Sequence, residues 1–328
     1  MKFKLRIICL ISALLCLFNL NIINVSASSG EKIYLGGMPA GFSLATKGAH
    51  VVGLCDVLTK DGLNSPAKNA GLNVGDIILN IDGFEVNNAF DIEKAVKNDN
   101  EKTLNILRDN EKLLLNVTPS KDLSGNYKLG VFIKDDINGI GTITFIKNNR
   151  FASLGHPILD DNKNIVEISG GTLFDCSITG VIKGEKGQPG ELRGAFLKTN
   201  VFASIDKNLD CGVYGDINSH GFENIQLKEI DVSNAKVGSA SIYSTIDGDC
   251  TKEYSISIIK CDDENGNKNF VIKVTDKELL NKTGGIVQGM SGSPIVQDGK
   301  LIGAVTHVFV NDPTRGFGIS IYKMLEKI

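Results

Sequence analysis

The sequence predicts a mainly β protein, with a small α+β domain followed by a larger β-barrel domain. Three observations carry that prediction. From residue 129 on, short apolar runs recur between Gly, Asn and Asp turns, at 130–133, 141–146, 165–168, 177–182, 256–259, 270–274 and 301–310, as expected of many short strands. Residues 61–83 instead read as a short helix, a Gly-Asp turn and a strand ending at Asp82-Gly83. Towards the carboxyl end, two apolar stretches flank Asp298-Gly299, the pattern of strand, tight turn and strand.

The chain has 328 residues, 42% of them hydrophobic, which is room for about two domains. Its net charge is only -3 and the two signs are mixed, so composition gives no reason to expect nucleic acid or an anionic surface as partner. At the amino terminus Lys2, Lys4 and Arg6 precede an apolar run over 7–20, and Val25-Ser26-Ala27 offers a small-residue cleavage site. Residues 1–27 therefore read as a signal peptide or a retained membrane anchor; Asn19, Asn21 and Asn24 interrupt the apolar stretch. Either outcome exports the remainder. Beyond this segment lie Cys55, Cys176, Cys211, Cys250 and Cys261, an odd number without metal-like spacing, read mostly as small buried apolar residues. Without metal-like cysteine spacing no metal is expected, and since no glycine-rich phosphate loop follows a strand, no nucleotide cofactor is expected either.

In chain order, Ser65-Pro66 opens a helix at its N-cap and first position and Gly71 ends it. Ile77, Leu79 and Ile81 then alternate as a half-buried strand. Phe90, Ile92, Ala95 and Val96 fall at near-helical spacing. Strands over 104–107 and 113–117 follow, with Arg108-Asp109-Asn110-Glu111 between them. This succession resembles a PDZ domain, fitting residues 38–119. The resemblance implies binding of an extended peptide by strand addition, with loop amides for a terminal carboxylate. Gly41, Phe42 and Leu44 are the candidate peptide-binding residues, a Gly ahead of alternating apolar positions; the same residues also read as a turn and core. Residues 120–128 are polar, carry a Ser-Gly turn and form the expected linker to a second domain over 129–328, closed by a short helix over 321–328.

The chemistry centres on Gly289-Met290-Ser291-Gly292-Ser293-Pro294. Small residues on both sides of a serine permit a tight turn, an exposed hydroxyl, and amides of Gly289 and Ser291 aimed at one developing oxyanion. This hexapeptide resembles the nucleophile loop of chymotrypsin-like serine peptidases, which implies a double β-barrel. A serine hydroxyl needs a base, and four histidines are available. His50 lies in the PDZ segment, and His220 in a polar turn. His307 sits on the strand after the nucleophile loop and remains a minor candidate. His156 ends a strand at Gly155-His156-Pro157, in the half of the fold that supplies the base in chymotrypsin-like barrels, and is the expected base. Asp276, 15 positions before Ser291, is the expected orienting carboxylate, although Asp276-Lys277-Glu278 also suits a helix N-cap. Asp206, Asp216, Asp231, Asp247 and Asp249 stay open for that role.

With the PDZ pattern, Gly139-Ile140-Gly141-Thr142, Leu154-Gly155-His156, the hexapeptide and Val305-Thr306-His307-Val308-Phe309-Val310-Asn311-Asp312-Pro313-Thr314, nearly the whole chain resembles the SpoIVB peptidase family, the PDZ-containing serine peptidases of sporulation. The resemblance implies an endopeptidase exported from the forespore, membrane-associated or in the intermembrane space, that processes itself and cleaves a membrane-anchored regulator of an intramembrane metalloprotease. That cleavage would signal for the late mother-cell sigma factor. The alternatives are a PDZ binding module with a degenerate peptidase half and an exported quality-control peptidase. Met290 stands where chymotrypsin relatives carry an Asp that anchors a freed amino terminus, so activation through that ion pair is not expected.

Overall fold

The computed structural model describes residues 32–328 except 110, 161–162, 219–226 and 263–265. The expected export segment over 1–27 and His220 lie outside the described residues. No helix among the described residues is long and apolar enough to cross a membrane.

The chain enters on β1 (Ile33–Leu35) and the long β2 (Pro39–Leu54). A short hairpin of β3 (Val57–Thr59) and β4 (Gly62–Asn64) leads to α1 (Pro66–Asn69). Ser65 is the N-cap residue of α1, Pro66 sits at its start and Gly71 follows at φ 82, as the sequence predicts. The Ser65 hydroxyl, however, donates to Asp56 and accepts no amide of the helix. β5 (Ile77–Ile81), β6 (Phe84–Glu85), α2 (Ala89–Ala95), β7 (Lys102–Arg108) and β8 (Glu111–Val117) complete the PDZ fold. The α2 cap is Asn88, whose side chain accepts from the Asp91 amide. Two inward positions differ from expectation. A register shift in the pairing of β5 with β7, between Ile78 and Asn80, turns Ile78 and Ile81 into the core and leaves Ile77 and Leu79 half-buried. Phe90 lies on the outer face of α2, 63% exposed, under the Lys94 ammonium.

The linker is structured: β9 (Ser120–Lys121) pairs with β10 (Tyr127–Lys128) across the Ser-Gly turn. From β11 (Val131–Lys147) the chain runs through β12 (Arg150–Ser153), β13 (Ile168–Ile182), β14 (Glu191–Leu209) and β15 (Gly212–Ile217). These strands pair in the order β11-β12-β15-β14-β13-β2, and β11 also pairs with β2, so six strands close into a ring. Here the boundary expected at residue 38 is corrected. The first half of β2 is a strand of this barrel, hydrogen-bonded to β11 on one side and β13 on the other, and only its second half reaches β5 of the PDZ domain. The PDZ segment is thus held between two strands of one barrel. The physical reason is length: 16 residues of strand span about 53 Å at ~3.3 Å each, enough to serve two sheets in succession.

The second barrel contains β16 (Gly238–Ser244), β17 (Lys252–Cys261), β18 (Phe270–Val274), β19 (Pro294–Gln297), β20 (Lys300–Phe309) and β21 (Asp312–Ser320), with α3 (Lys277–Thr283) between β18 and β19. Its strands close in the order β16-β17-β18-β21-β20-β19. The expected Asp-Gly turn is present, with Asp298 and Gly299 both at positive φ as a tight hairpin demands. α4 (Ile321–Leu325) ends the chain. Tyr254, Phe270, Ile272 and Met290 fill the second barrel, and Phe42, Leu44, Phe151 and Leu173 the first. Met290 is fully buried among apolar side chains, where a carboxylate would lack a partner. No disulfide joins the five described cysteines; Cys176 and Cys211 are buried and Cys250 is exposed.

Candidate active site and peptide groove

Ser291 sits on the loop between α3 and β19, and that loop is bound to both barrels. Within its own barrel, Met290 donates its amide to Val287 O at 3.1 Å, Ser293 to Met290 O at 3.0 Å, and Gly292 to Val305 O at 2.8 Å. Across to the first barrel, Thr142 of β11 donates its hydroxyl to Gly289 O at 2.9 Å and its amide to Ser291 O at 3.0 Å, while Thr144 Oγ1 donates to Gly292 O at 2.8 Å. Gly292 adopts φ 93 with its α-carbon against the Thr142 carbonyl, so a Cβ there would collide with backbone. With the loop's carbonyls occupied, the amides of Gly289 and Ser291 donate to no acceptor among the described residues. Two unpaired amides flanking a serine are what an oxyanion hole requires.

His156 arrives from the first barrel. After β12 the backbone passes through Leu154 at φ 67 and Gly155 at φ 69, a conformation that leucine holds only where its surroundings enforce it. The turn carries the imidazole into a cavity of ≈ 470 Å³ also lined by Gly289, Ser291, Thr306 and His307. The structure therefore brings together the expected nucleophile, base and oxyanion amides. His156 Nδ1 lies 2.9 Å from Pro157 O. A carbonyl can only accept, so this bond places the proton on Nδ1 and leaves Nε2 with its lone pair, the form a general base needs. Desolvation by burial holds the His156 pKa below the ordinary histidine value, against a smaller opposing effect of the Pro157 bond. The Ser291 hydroxyl donates at 2.8 Å to the carbonyl of Thr306, so it must rotate off that carbonyl to meet the imidazole.

Asp276 is corrected. It is the N-cap of α3, accepting from the Leu279 amide at 2.9 Å and, more weakly, from the Ser255 amide at 3.4 Å. Two backbone donors and a following helix satisfy its carboxylate locally, which is the alternative its sequence context already allowed. Asp206 and Asp216 pair with Arg150, and Asp247 with Lys282. Among the described residues the partner of His156 Nδ1 is a backbone carbonyl. His307, which the sequence left as a minor base candidate, faces His156 with ring centroids 4.9 Å apart. Desolvation, then the charges of His156 and Lys268, push its pKa down to about 4, although its side chain reaches the surface at the cavity rim.

The peptide-binding expectation at Gly41, Phe42 and Leu44 is also corrected. All three lie on β2 where both edges are paired, to Ile140, Gly139 and Ile137 of β11 and to Phe174, Leu173 and Gly171 of β13. Phe42 and Leu44 are barrel core, 2% and 0% exposed. A strand with two partners cannot accept a third. The groove of the PDZ domain instead lies between α2 and the start of β11, a cavity of ≈ 400 Å³ walled by Ile92 on the helix and Val96 at its C-cap, by Leu129 and Gly130 just before the strand, and by Val131 and Ile133 on it. Gly130 has φ 78, and a side chain there would strike the Cys55 carbonyl. The amides of Leu129 and Gly130 donate to no acceptor among the described residues. Leu129-Gly130-Val131-Phe132 has the same local pattern as Gly41-Phe42-Ser43-Leu44, a Gly ahead of alternating apolar residues.

Residues 125–325 match the family model described as SpoIVB peptidase S55, and residues 56–118 match the PDZ domain model. Among curated proteins, serine protease HTRA1 of Xenopus laevis is 33% identical over 97 residues, 30% of this chain and 20% of that protein; the chain thus spans about a fifth of that relative's length. Among solved structures, the inactive form of Rv3671c protease aligns with a TM-score of 0.34 and 14% identity over 58% of this chain and 84% of that one. The active form from M. tuberculosis aligns with a TM-score of 0.32 and 14% identity over 58% and 74%.

Proposed function

The chain belongs to the SpoIVB peptidase S55 family, and on that premise we propose that it is a serine endopeptidase in which Ser291 is the nucleophile and His156 the general base. The observation that carries this reading is the convergence of Ser291, His156 and the unpaired amides of Gly289 and Ser291 at one cavity between two barrels. Ser291 Oγ attacks the scissile carbonyl carbon as His156 Nε2 takes its proton, and the carbonyl oxygen becomes an oxyanion facing the two amides. The C–N bond then breaks, the departing amine receives the proton from His156, and an acyl-serine remains. Water, deprotonated by the same nitrogen, repeats the sequence and releases the acid. Pro157 O holds the Nδ1 proton throughout, fixing the tautomer.

In this reading the substrate is a membrane-anchored regulatory protein, cleaved outside the forespore after self-processing, and the signal ends in activation of the late mother-cell sigma factor. The PDZ domain, matched over 56–118, supports peptide or protein partners in general. Reaction of purified protein with a fluorophosphonate, followed by mass spectrometry, tests the chemistry: Ser291 acquires the label, and Ser291→Ala neither labels nor cleaves. A chain that serves only as a PDZ binding module leaves Ser291 unlabelled. Expression confined to sporulation separates the sporulation role from exported quality control.

A further inference from the structure

One strand, β11, lines both cavities. Its first residues form a wall of the PDZ groove, and Asn138, Gly139 and Ile140 line the cavity of Ser291 and His156. From Val131 to Gly141, β11 is paired on one side only, with β2; on the other side Thr142 bonds the nucleophile loop and β12 begins only at Ile143. Among the described residues the second edge between the two cavities carries no strand. One face of this stretch is exposed as well, with Phe132 at 59% and Lys134, Asp136, Asn138 and Gly139 beside it. An open edge presents a row of backbone donors and acceptors that fits another extended chain.

Resting on the peptidase reading above, we infer that the substrate lies as an added strand along this edge. Its apolar carboxyl-terminal residue sits in the groove beside Gly130 and its scissile bond at Ser291, so that the strand measures the distance between anchor and cut. Polarity follows from the ends. The unpaired amides of Leu129 and Gly130 stand where β11 begins, and they suit a terminal carboxylate. A peptide anchored there runs antiparallel to β11, and its upstream residues approach Gly139. From Gly130 to Gly139 the strand advances roughly nine residues, about 30 Å at ~3.3 Å per residue. The register shifts on β11 at Phe132/Ile133 and Lys134/Asp136 bend the path and widen the expected span to about 8–12 residues.

The test uses the purified chain and synthetic peptides of about 24 residues ending in a free-carboxylate Val. Product masses should place the cut about 8–12 residues from the carboxyl end. Inserting three residues between cut and terminus should move the cut so that this distance is kept. Converting the terminus to an amide, or N-methylating alternate backbone nitrogens between anchor and cut, should lower kcat/KM at least about tenfold, the loss of one or two charge-assisted or several ordinary hydrogen bonds. A cut that follows local sequence whatever its distance from the terminus, or indifference to both modifications, overturns the proposal. Binding to Ser291→Ala protein keeps it separable from the peptidase reading. The 24-residue peptide should bind at least about tenfold more tightly than its last five residues alone, and equal affinities overturn the inference even if Ser291 is reactive.

Discussion

The hydroxyl of Thr142 donates to the carbonyl of Gly289 at 2.9 Å, joining a strand of the first barrel to the nucleophile loop of the second. The amide of the same residue holds the Ser291 carbonyl, so Thr142 takes two acceptors of the loop, whose Gly289 and Ser291 amides donate to no acceptor among the described residues.

Thr142→Val keeps the shape and the amide but removes the hydroxyl bond. Misplacement of oxyanion donors by under an ångström is expected to lower kcat by about 10–100-fold with little change in KM, since the lost interaction belongs to the transition state. Steady-state kinetics on a cleaved peptide checks this, and an unchanged kcat removes Thr142 from the oxyanion hole's support.

The pH dependence follows from His156. Its folded pKa lies below the unfolded value of 6.5, so the neutral base persists below pH 6.5 and the acid limb of kcat/KM should fall under that value. The same depression makes acid destabilising: above pH 6.5 its contribution to stability is complete, and it is lost as pH falls from there toward the folded pKa. His156→Gln should abolish the acid limb along with most activity. An acid limb above 6.5 in the wild type contradicts the burial of this imidazole.

Asp276 is expected to act on stability. Asp276→Ala removes the α3 cap and should cost about 0.5–2 kcal/mol in denaturant unfolding, whereas Asp276→Asn retains an acceptor and most of that stability. Cleavage by Asp276→Asn should stay within a few-fold of wild type. A loss of several orders of magnitude in that variant, with stability intact, would restore the carboxylate to a catalytic role.

A fragment of residues 38–119 should fail as an independent peptide-binding module. It lacks Leu129, Val131 and Ile133, which pack on the PDZ core and wall its groove, and it carries half of β2 without its barrel partners. A fragment of residues 47–134 should unfold at higher denaturant and bind an apolar carboxyl-terminal peptide that the shorter one does not. Equal binding by both fragments contradicts a groove between α2 and the start of β11.

Much of the architecture was legible along the chain because its signals are local. Ser65-Pro66 and Gly71 bound a helix, Asp298-Gly299 turns a hairpin, and small residues around Ser291 shape its loop through contacts within a few positions. His156 was legible from its place at the end of a strand.

The sequence by itself determined the mainly β fold class, the PDZ pattern, and which serine, histidine and loop amides to expect at one cavity, since each rests on backbone geometry or chemistry set by neighbouring residues. Tertiary structure alone decided where β2 belongs, which cavity is the peptide groove, that Asp276 caps a helix, and that His156 points its Nδ1 proton at a carbonyl. Gly41 and Gly130 look alike in sequence. They differ because strands up to about 130 residues away pair both edges of β2 at Gly41, while β11, entered at Gly130, keeps one edge open between the groove and the active site. Strand pairing is a long-range choice, and the residues that make it carry no local mark of their partners.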